Sequence, residues 1–295
     1  MGHIFGFSTT LQNSAVAFGR FDGMHIGHRK VIRKLTSYEN PVLISFADDR
    51  EKVLYTETEK EYVLKKLGIK NMMTVSAETY EKMDLSMFVR DYLIERAGAK
   101  TIVAGENFDR LDELKSICER YGTRLAVVPI VKDNGTEVTT ALIRSYFPNG
   151  NMNDCLRLLG GAYVMIGNVV HGKGVGKKHA MPTANLGFAE NKLWPVHGVY
   201  GTEVRIDDGV WKGMTNIGLR PSDDMIPIST CETYILDFNS DIYDKMLILE
   251  AFFYVRPVMQ FRGLDEVREQ IDRDIHQIEE AGQSVTRRIF IQENF

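Results

Sequence analysis

Two histidines three positions apart stand just after an apolar run near the start of the chain. Residues 19–28 read GRFDGMHIGH and follow the strand-like segment 14–19. The glycines permit a tight turn and close backbone approach, so free N–H groups of a new helix can meet phosphate oxygens. The imidazoles of His25 and His28 can donate hydrogen bonds to a leaving pyrophosphate as its charge builds. The stretch predicts a nucleotide-phosphate site; a strand-to-helix turn with polar surface histidines is the alternative.

A glycine- and lysine-rich segment in the second half offers another way to hold phosphate. Residues 167–186 read GNVVHGKGVGKKHAMPTANL. This is not a P-loop, because Gly174 stands where Ser or Thr is required and strand-like sequence follows where a helix should begin. A loop of this composition can instead wrap phosphates with backbone N–H groups and cationic tips, although a mobile solvated hairpin would explain the glycines and lysines alone. The candidate loop residues are Gly172, Lys173, Gly174, Gly176 and Lys177.

The PTAN sequence that follows this loop predicts a metal site. Thr183 and Asn185 alternate along a predicted strand, so both side chains point to the same face. That arrangement puts two oxygen ligands side by side. A hard Mg²⁺ ion prefers such ligands, which it shares with phosphate oxygens and water.

The elements of the first half are those of an α/β domain. Short apolar runs alternate with stretches that carry apolar residues at helical spacing, which indicates βαβ units and a parallel sheet covered on both faces. Ligands of such sheets bind beyond the carboxyl ends of the strands, where residues 19–28 fall. The predicted strands are 14–19, 41–46, 71–77, 100–105 and 124–130, and the predicted helices are 27–38, 57–67, 84–98 and 109–122.

After about residue 160 the pattern changes to several short strands separated by turns. A convincing helix follows only at 263–282. This order predicts an antiparallel barrel or sandwich with a terminal helix packed on it. The helical MNDCLRLLGG ends in paired glycines, which places the boundary near 157–162 and gives two domains, residues 1–158 and 159–295.

Composition restricts the class of protein. A chain of 295 residues with 44% hydrophobic and 26% charged residues is globular, and a net charge of −4 argues against a general nucleic-acid binder. Three widely spaced cysteines fit reduced thiols better than a disulfide framework. We see neither a signal peptide nor an apolar run of about 20 residues that could span a bilayer. We therefore expect a soluble, cytoplasmic protein.

The motifs of both halves resemble one enzyme family, the bacterial bifunctional riboflavin kinase/FAD synthetases. GRFDGMHIGH is similar to the H-x-G-H signature of the nucleotidylyltransferase superfamily in the version that this family carries. The second half resembles the riboflavin kinase module at many positions in the same order. The matching stretches are LLGGAY (158–163), VVHGKGVG, PTANL, GVYGTEV (198–204), NIGLRPS (216–222), ETYILDF (232–238) and FFYVRPVMQF (252–261).

For the first half, the resemblance implies a Rossmann-type nucleotidylyltransferase domain in which the phosphate of FMN attacks the α-phosphorus of ATP directly. His25 and His28 would bind ATP phosphates, with Phe21 and Asp22 shaping the pocket. Two family segments differ: FADDRE (46–51) stands in place of Pro-His-Pro, and GENFDRLDE (105–113) in place of Gly-x-Asp-Phe-x-Phe-Gly. Asp48 and Asp49 would then repel a triphosphate unless a metal or Arg50 offsets them. The other expected nucleotide-binding residues are Gly19, Gly27, Thr139, Thr140 and Arg144, although Ala141 replaces a family hydroxyl residue beside them.

For the second half, the resemblance implies a six-stranded barrel in which Thr183 and Asn185 hold Mg-ATP. Glu232 would be the base that takes a proton from the terminal ribityl hydroxyl of riboflavin. Asn216 and Arg220 would line the nucleotide or flavin side, although Arg220 could equally pair with a nearby acid.

The expected protein is therefore a bifunctional transferase that makes FMN from riboflavin and FAD from FMN, using ATP and Mg²⁺. One alternative is a kinase alone, with a degraded or regulatory N-terminal domain. Another is a flavin-binding regulator without turnover. The sequence leaves the oligomeric state open.

Overall fold

The computed structural model describes residues 11–147, 152–170, 183–221 and 227–292, with backbone only at 220–221, 227–228 and 283–292. The chain divides into two compact units, Met1–Ile143 and Arg144–Phe295. No helix in the described ranges is long and apolar enough to cross a membrane.

The first unit is built on a five-stranded parallel sheet of order β3-β2-β1-β4-β5. The strand order turns back between β1 and β4, and such a switch point opens a crevice at the carboxyl ends of the strands. The strands are β1 Ser14–Gly19, β2 Asn40–Ala47, β3 Asn71–Ser76, β4 Ala99–Gly105 and β5 Arg124–Val128, with a small hairpin of β6 Lys132–Asp133 and β7 Thr136–Glu137.

Helices connect these strands, as the alternating pattern predicts. The helices are α1 Ile26–Thr36, α2 Glu57–Lys66, α3 Ala77–Glu81, α4 Leu85–Phe88, α5 Leu111–Tyr121 and α6 Thr140–Tyr146. The predicted helix 84–98 differs in one respect, because after α4 it continues as a π-helix over Val89–Arg96. It ends before Gly98, whose φ is +63° and where a Cβ would lie 2.0 Å from the carbonyl oxygen of Leu11. Only glycine fits there.

The second unit is a closed antiparallel barrel of order β10-β11-β12-β9-β8-β13. The barrel is therefore confirmed over the sandwich. Its elements are α7 Met152–Leu159, β8 Tyr163–Val170, β9 Thr183–Gly187, β10 Gly198–Ile206, β11 Gly209–Pro221, β12 Pro227–Ile235, β13 Met246–Arg256 and α8 Leu264–Gln292.

The terminal helix α8 packs on this barrel. Ile278 is fully buried, and a Cβ on Gly201 of β10 would lie 3.1 Å from its side chain. The buried carboxylate of Asp274 pairs with Arg256 of β13 at 2.7 Å and accepts a hydrogen bond from Gln270. A carboxylate taken out of water in this way requires such a partner.

The barrel interior contains a row of buried hydroxyl groups. Thr202, Thr215 and Thr233 lie on three adjacent strands and are joined by two hydrogen bonds of 2.9 Å. Because side chains alternate along a strand, the neighbours of these threonines point outward.

Candidate active sites

A cavity of about 350 Å³ opens at the switch point of the first unit. Phe18 and Gly19 at the end of β1, the end of β4 and Val128 of β5 form part of its wall, together with the first turn of α1. The position is the one expected for ligand binding in a parallel sheet.

His25 and His28 stack on each other at this cavity. Their ring centroids are 3.7 Å apart and the planes are inclined by 22°. His25 is the N-cap of α1, where its Nδ1 accepts a hydrogen bond from the backbone N–H of His28 at 3.4 Å. The neutral ring of His25 therefore carries its proton on Nε2. Nδ1 of His28 is buried without a hydrogen-bond partner in the described part of the chain.

Both imidazoles are neutral near pH 7. Burial lowers the pKa of His25 to about 4, against a smaller opposing effect of the Asp22 carboxylate. Burial also lowers the pKa of His28 well below its ordinary value, and the charges of His25 and Lys60 act in the same direction. Each neutral ring offers one N–H donor, and a nearby polyphosphate would favour the protonated forms.

The loop that leads to the histidines has an unusual backbone. Phe21 and Met24 both have φ of +45°, in a region that non-glycine residues rarely adopt. Such strain is typical of functional sites, where the surrounding structure holds it. Gly27 follows in the first turn of α1, and a Cβ there would lie 3.0 Å from the ring of His25. Glycine at this position lets the imidazole lie against the helix.

Asp22 connects this loop to two other segments. Its Oδ1 accepts a hydrogen bond from the backbone N–H of Tyr55 at 3.0 Å, and its carbonyl oxygen accepts one from the hydroxyl of Thr140 at 3.0 Å. The carboxylate is buried. These bonds shape the loop around the cavity.

The segment 139–144 reaches the same cavity in part. Thr139 and Thr140 line it, and the Thr139 hydroxyl accepts a hydrogen bond from the backbone N–H of Leu142 at the start of α6. Arg144 lies one turn after Thr140 on that helix and is not among the lining residues.

One carboxylate of the acidic segment after β2, that of Asp48, is paired with arginine. Asp48 pairs with Arg50 at 2.8 Å and with Arg20 at 3.1 Å, and the hydrogen bond from Arg50 is the main reason why the pKa of Asp48 lies well below its usual range. Arg50 thus offsets Asp48, one of the two carboxylates expected to repel a triphosphate.

Three polar residues that line the cavity were not predicted from the sequence. Arg20 lines the cavity, as do Asn107 and Glu137, whose side chains are joined by a hydrogen bond of 2.6 Å. Arg20 could have been predicted, because it directly follows Gly19 within the motif that was assigned to the phosphate site. The pairing of Asn107 with Glu137 joins segments 30 residues apart and left no local signal.

In the second unit, three candidate residues form a row across adjacent strands. Glu232 of β12 lies directly opposite Asn185 of β9 on one side and Asn216 of β11 on the other. Such opposite residues have Cβ atoms about 4.5–5.5 Å apart. Their neighbours Ala184 and Thr233 are buried inside, whereas Glu232 and Asn185 are partly exposed and Asn216 is exposed. The row therefore lies on the outer face of the barrel.

The donors of the proposed metal site share this face. Thr183 lies two residues before Asn185 on β9, and both are partly exposed. A hydroxyl and an amide oxygen beside a carboxylate form an oxygen donor set of the kind that Mg²⁺ accepts. The described residues contain no group of three or more His, Cys, Asp or Glu that could hold a metal ion.

Some predicted kinase-site residues lie outside the described residues. These are Gly172, Lys173, Gly174, Gly176 and Lys177; for Arg220 the structure describes only the backbone, within β11.

Comparison with protein families assigns both halves of the chain. Residues 7–142 match the family model of FAD synthetase, and residues 159–281 match that of riboflavin kinase. The chain belongs to the bifunctional riboflavin kinase/FAD synthetase family. The first matched segment of this family member contains the histidine pair, and the second contains the row of Asn185, Glu232 and Asn216.

Relatives similar to this family member extend over both matched segments. A Haemophilus influenzae protein named bifunctional riboflavin kinase/FMN adenylyltransferase is 25% identical, and the match covers 90% of this chain and 93% of the relative. A Bacillus subtilis protein of the same name is 26% identical, and the match covers 88% of this chain and 90% of the relative. The protein of that name in Listeria monocytogenes is 27% identical, over 89% of this chain and 90% of its own.

A solved structure shares the whole architecture. A crystal structure described as a macrolide-efflux protein from Streptococcus pneumoniae superposes with a TM-score of 0.77 at 25% identity. The match covers 92% of this chain and 95% of that chain.

Proposed function

We propose that the two activities of this family are divided between the two parts of the chain, with FMN adenylyltransferase in residues 1–158 and riboflavin kinase in residues 159–295. The protein is a transferase that phosphorylates riboflavin to FMN and adenylylates FMN to FAD. The family segments 7–142 and 159–281 support this division.

In the kinase reaction, Glu232 acts as the general base. The terminal ribityl hydroxyl of riboflavin attacks the γ-phosphorus of ATP, its proton passes to the carboxylate, and ADP leaves with the electrons of the broken P–O bond. A primary alcohol is a poor nucleophile, so a carboxylate within hydrogen-bond reach assists the attack. The outward position of Glu232 between Asn185 and Asn216 supports this role, because a substrate can reach it there.

Thr183 and Asn185 hold Mg²⁺ in this proposal. The bound ion would neutralise charge on the phosphate oxygens. Asn216 and Arg220 line the nucleotide or flavin side of the same face. The loop residues Gly172, Lys173, Gly174, Gly176 and Lys177 wrap the phosphates.

In the adenylyl transfer, an oxygen of the FMN phosphate attacks the α-phosphorus of ATP and pyrophosphate leaves. His25 and His28 donate hydrogen bonds to the phosphate chain as charge moves onto the leaving group. Phe21 and Asp22 shape the pocket. The backbone approaches the phosphates at Gly19 and Gly27, and the triphosphate is held by Thr139, Thr140 and Arg144.

One observation carries the adenylyl transfer above all others: the stacked, neutral imidazoles lie in a cavity at the switch point of a parallel sheet. The segment FADDRE and Ala141 favour the alternative of a kinase alone. The pairing of Asp48 with Arg50 weakens that alternative, because it offsets one of the two carboxylates that would repel ATP.

The partners in this proposal are the small molecules ATP, riboflavin and FMN, and the reaction takes place in the cytoplasm. Cys118, Cys155 and Cys231 are free and buried, which suits a reducing compartment. Burial raises the pKa of Cys118 to about 11 and that of Cys155 and Cys231 to about 12, so the thiols stay protonated.

One assay tests the proposal. Purified protein is incubated with riboflavin, ATP and Mg²⁺, and the flavins are separated by chromatography. Formation of FAD is the expected result. FMN as the sole product would leave a kinase with an inactive first domain, and unchanged riboflavin would leave a binding protein.

A further inference from the structure

Arg20 has a place in the cavity that the activities described so far do not use. It follows β1 directly, and its side chain is 49% exposed. It is the sole arginine or lysine among the cavity-lining residues of the described chain. Among the described lining residues, this guanidinium is therefore the one permanent positive charge available to a second anion beside a bound triphosphate.

Two of the three carboxylates around Arg20, Asp48 and Glu81, already have another cationic partner. Arg50 forms two hydrogen bonds of 2.8 Å to Asp48, one to each carboxylate oxygen, and two more of 3.0 and 2.9 Å to Glu81. These paired contacts are the strong geometry for an arginine and a carboxylate.

The contacts of Arg20 are longer than those of Arg50. Its shortest distances to Asp48, Glu81 and Glu51 are 3.1, 3.4 and 3.7 Å. The pairs of Arg20 with Glu81 and Glu51 are exposed on both sides, and such ion pairs are weak, whereas the buried carboxylate of Asp48 keeps its shorter pair with Arg50. A dianionic ligand can therefore draw Arg20 away while Arg50 keeps Asp48 and Glu81 paired.

Arg20 lies away from the apolar wall of the cavity, against which the adenine ring of ATP can pack. Val103 of β4, Val128 of β5 and the following Pro129 and Ile130 form an apolar wall on the β4–β5 side. Asp48 and Glu81, the partners of Arg20, follow β2 and β3 on the other side of β1. In-line transfer places the attacking oxygen and the leaving oxygen on opposite sides of the phosphorus. If the adenine ring of ATP lies on the β4–β5 side and its phosphate chain lies at the histidines, the β2 side is left for the attacking phosphate of FMN.

We propose that Arg20 binds the phosphomonoester of the acceptor FMN and is a specificity-determining residue of the adenylyl transfer. This inference rests on the proposed adenylyltransferase function. Two like-charged phosphates must approach each other in that reaction, and Arg20 offsets their repulsion at the acceptor.

The test varies FMN at saturating ATP, and then ATP at saturating FMN, in steady-state assays of FAD formation. Arg20→Met should raise KM for FMN about tenfold or more, because a charge-assisted hydrogen bond to phosphate is lost, with KM for ATP changed less than about twofold. Arg20→Lys, which keeps the charge without the fork, should recover part of the affinity. Arg124→Gln is the matched control: Arg124 is exposed at the amino end of β5, at the opposite edge of the sheet, and both KM values should stay unchanged.

Several results would overturn the inference. A higher KM for ATP with an unchanged KM for FMN would assign Arg20 to the donor, and equal rises in both would mean a structural role. No change in either would leave Arg20 without a part in binding. An unchanged KM for ATP in each variant checks that the first unit, which contains Arg20, is folded. If the wild-type protein made FMN but no FAD, the proposed function would itself be wrong; calorimetric titration with FMN would then have to show weaker binding by Arg20→Met for the inference to stand.

Discussion

Asn185 and Glu232 lie directly opposite each other on the paired strands β9 and β12, on the outer face of the barrel. A proposed metal ligand and the proposed general base are thereby held side by side by backbone hydrogen bonds of the sheet. Sites built on strands hold their side chains more firmly than sites on loops. The separate contributions of the two residues can be measured in the two reactions of one chain.

Replacement of Glu232 should stop the first reaction alone. Glu232→Gln keeps the shape of the side chain and removes its capacity to accept a proton, so kcat for FMN formation should fall about 10²–10⁴-fold. Adenylylation of supplied FMN should continue at the wild-type rate. Both rates are followed by chromatography of the flavins. Glu203→Gln, a partly exposed glutamate on β10 of the same barrel, is the control and should affect neither rate. A kinase that stays active in Glu232→Gln would remove the base from the mechanism.

Replacement of His28 should affect the second reaction alone. His28→Ala removes one donor to the leaving pyrophosphate, so kcat for FAD formation should fall about 10²–10³-fold. Phosphorylation of riboflavin, measured in the same samples, should not change. If both activities fell together, the assignment of one reaction to each unit would be wrong.

Loss of a proposed metal ligand should appear as a changed requirement for Mg²⁺. Asn185→Ala should raise the Mg²⁺ concentration that gives half-maximal kinase activity by about tenfold or more. The metal dependence of FAD formation should stay the same. Titration of Mg²⁺ at fixed ATP measures both. Asn239→Ala, at an exposed asparagine after β12, serves as control, and an identical titration curve for Asn185→Ala and this control would count against the metal site.

The buried state of His25 predicts lower stability in acid. The unfolded chain binds a proton at His25 as the pH falls below 6.5, whereas the folded chain does so only near pH 4. The unfolded state therefore holds more protons between these values, and the free energy of unfolding decreases as the pH falls through this window. From pH 7 to pH 5 the loss from this group should be about 2 kcal/mol.

His25→Asn tests this assignment, because asparagine can still cap α1 but does not titrate. Urea unfolding at pH 7 and pH 5 should show a smaller loss of stability in the variant than in the wild type. An equal loss in both proteins would mean that His25 does not carry this pH dependence.

The regular part of the fold follows from local patterns in the sequence. All five strands of the parallel sheet and the four predicted helices occur where apolar spacing places them, the short helix α3 was not predicted, and the later strands close into a barrel. The π-helical turn at Val89–Arg96 was not predicted, since the apolar spacing of Phe88, Val89 and Leu93 is also that of an α-helix.

The residues that form the sites were harder to predict from the sequence than the fold. Histidine spacing and the PTAN motif pointed to His25, His28, Thr183 and Asn185, but the pairing that sets Asn185 beside Glu232 joins β9 and β12, which are not consecutive strands. The ion pairs of Arg20 with Asp48 and Glu81 join three segments at the ends of different strands. Neither arrangement produces a periodic pattern within one segment of the sequence. Each could therefore be recognised only after the order of the strands was known.

Strand β12 has two tasks that fall on alternate residues, with Cys231 and Thr233 facing inward and Glu232 and Tyr234 outward. Inserting or deleting a single residue within it would reverse this assignment, burying a carboxylate and exposing Thr233, one member of the threonine row, to water. The strand can therefore vary in residue type during evolution, but not in length. Length changes in this half of the protein should be confined to the turns between strands.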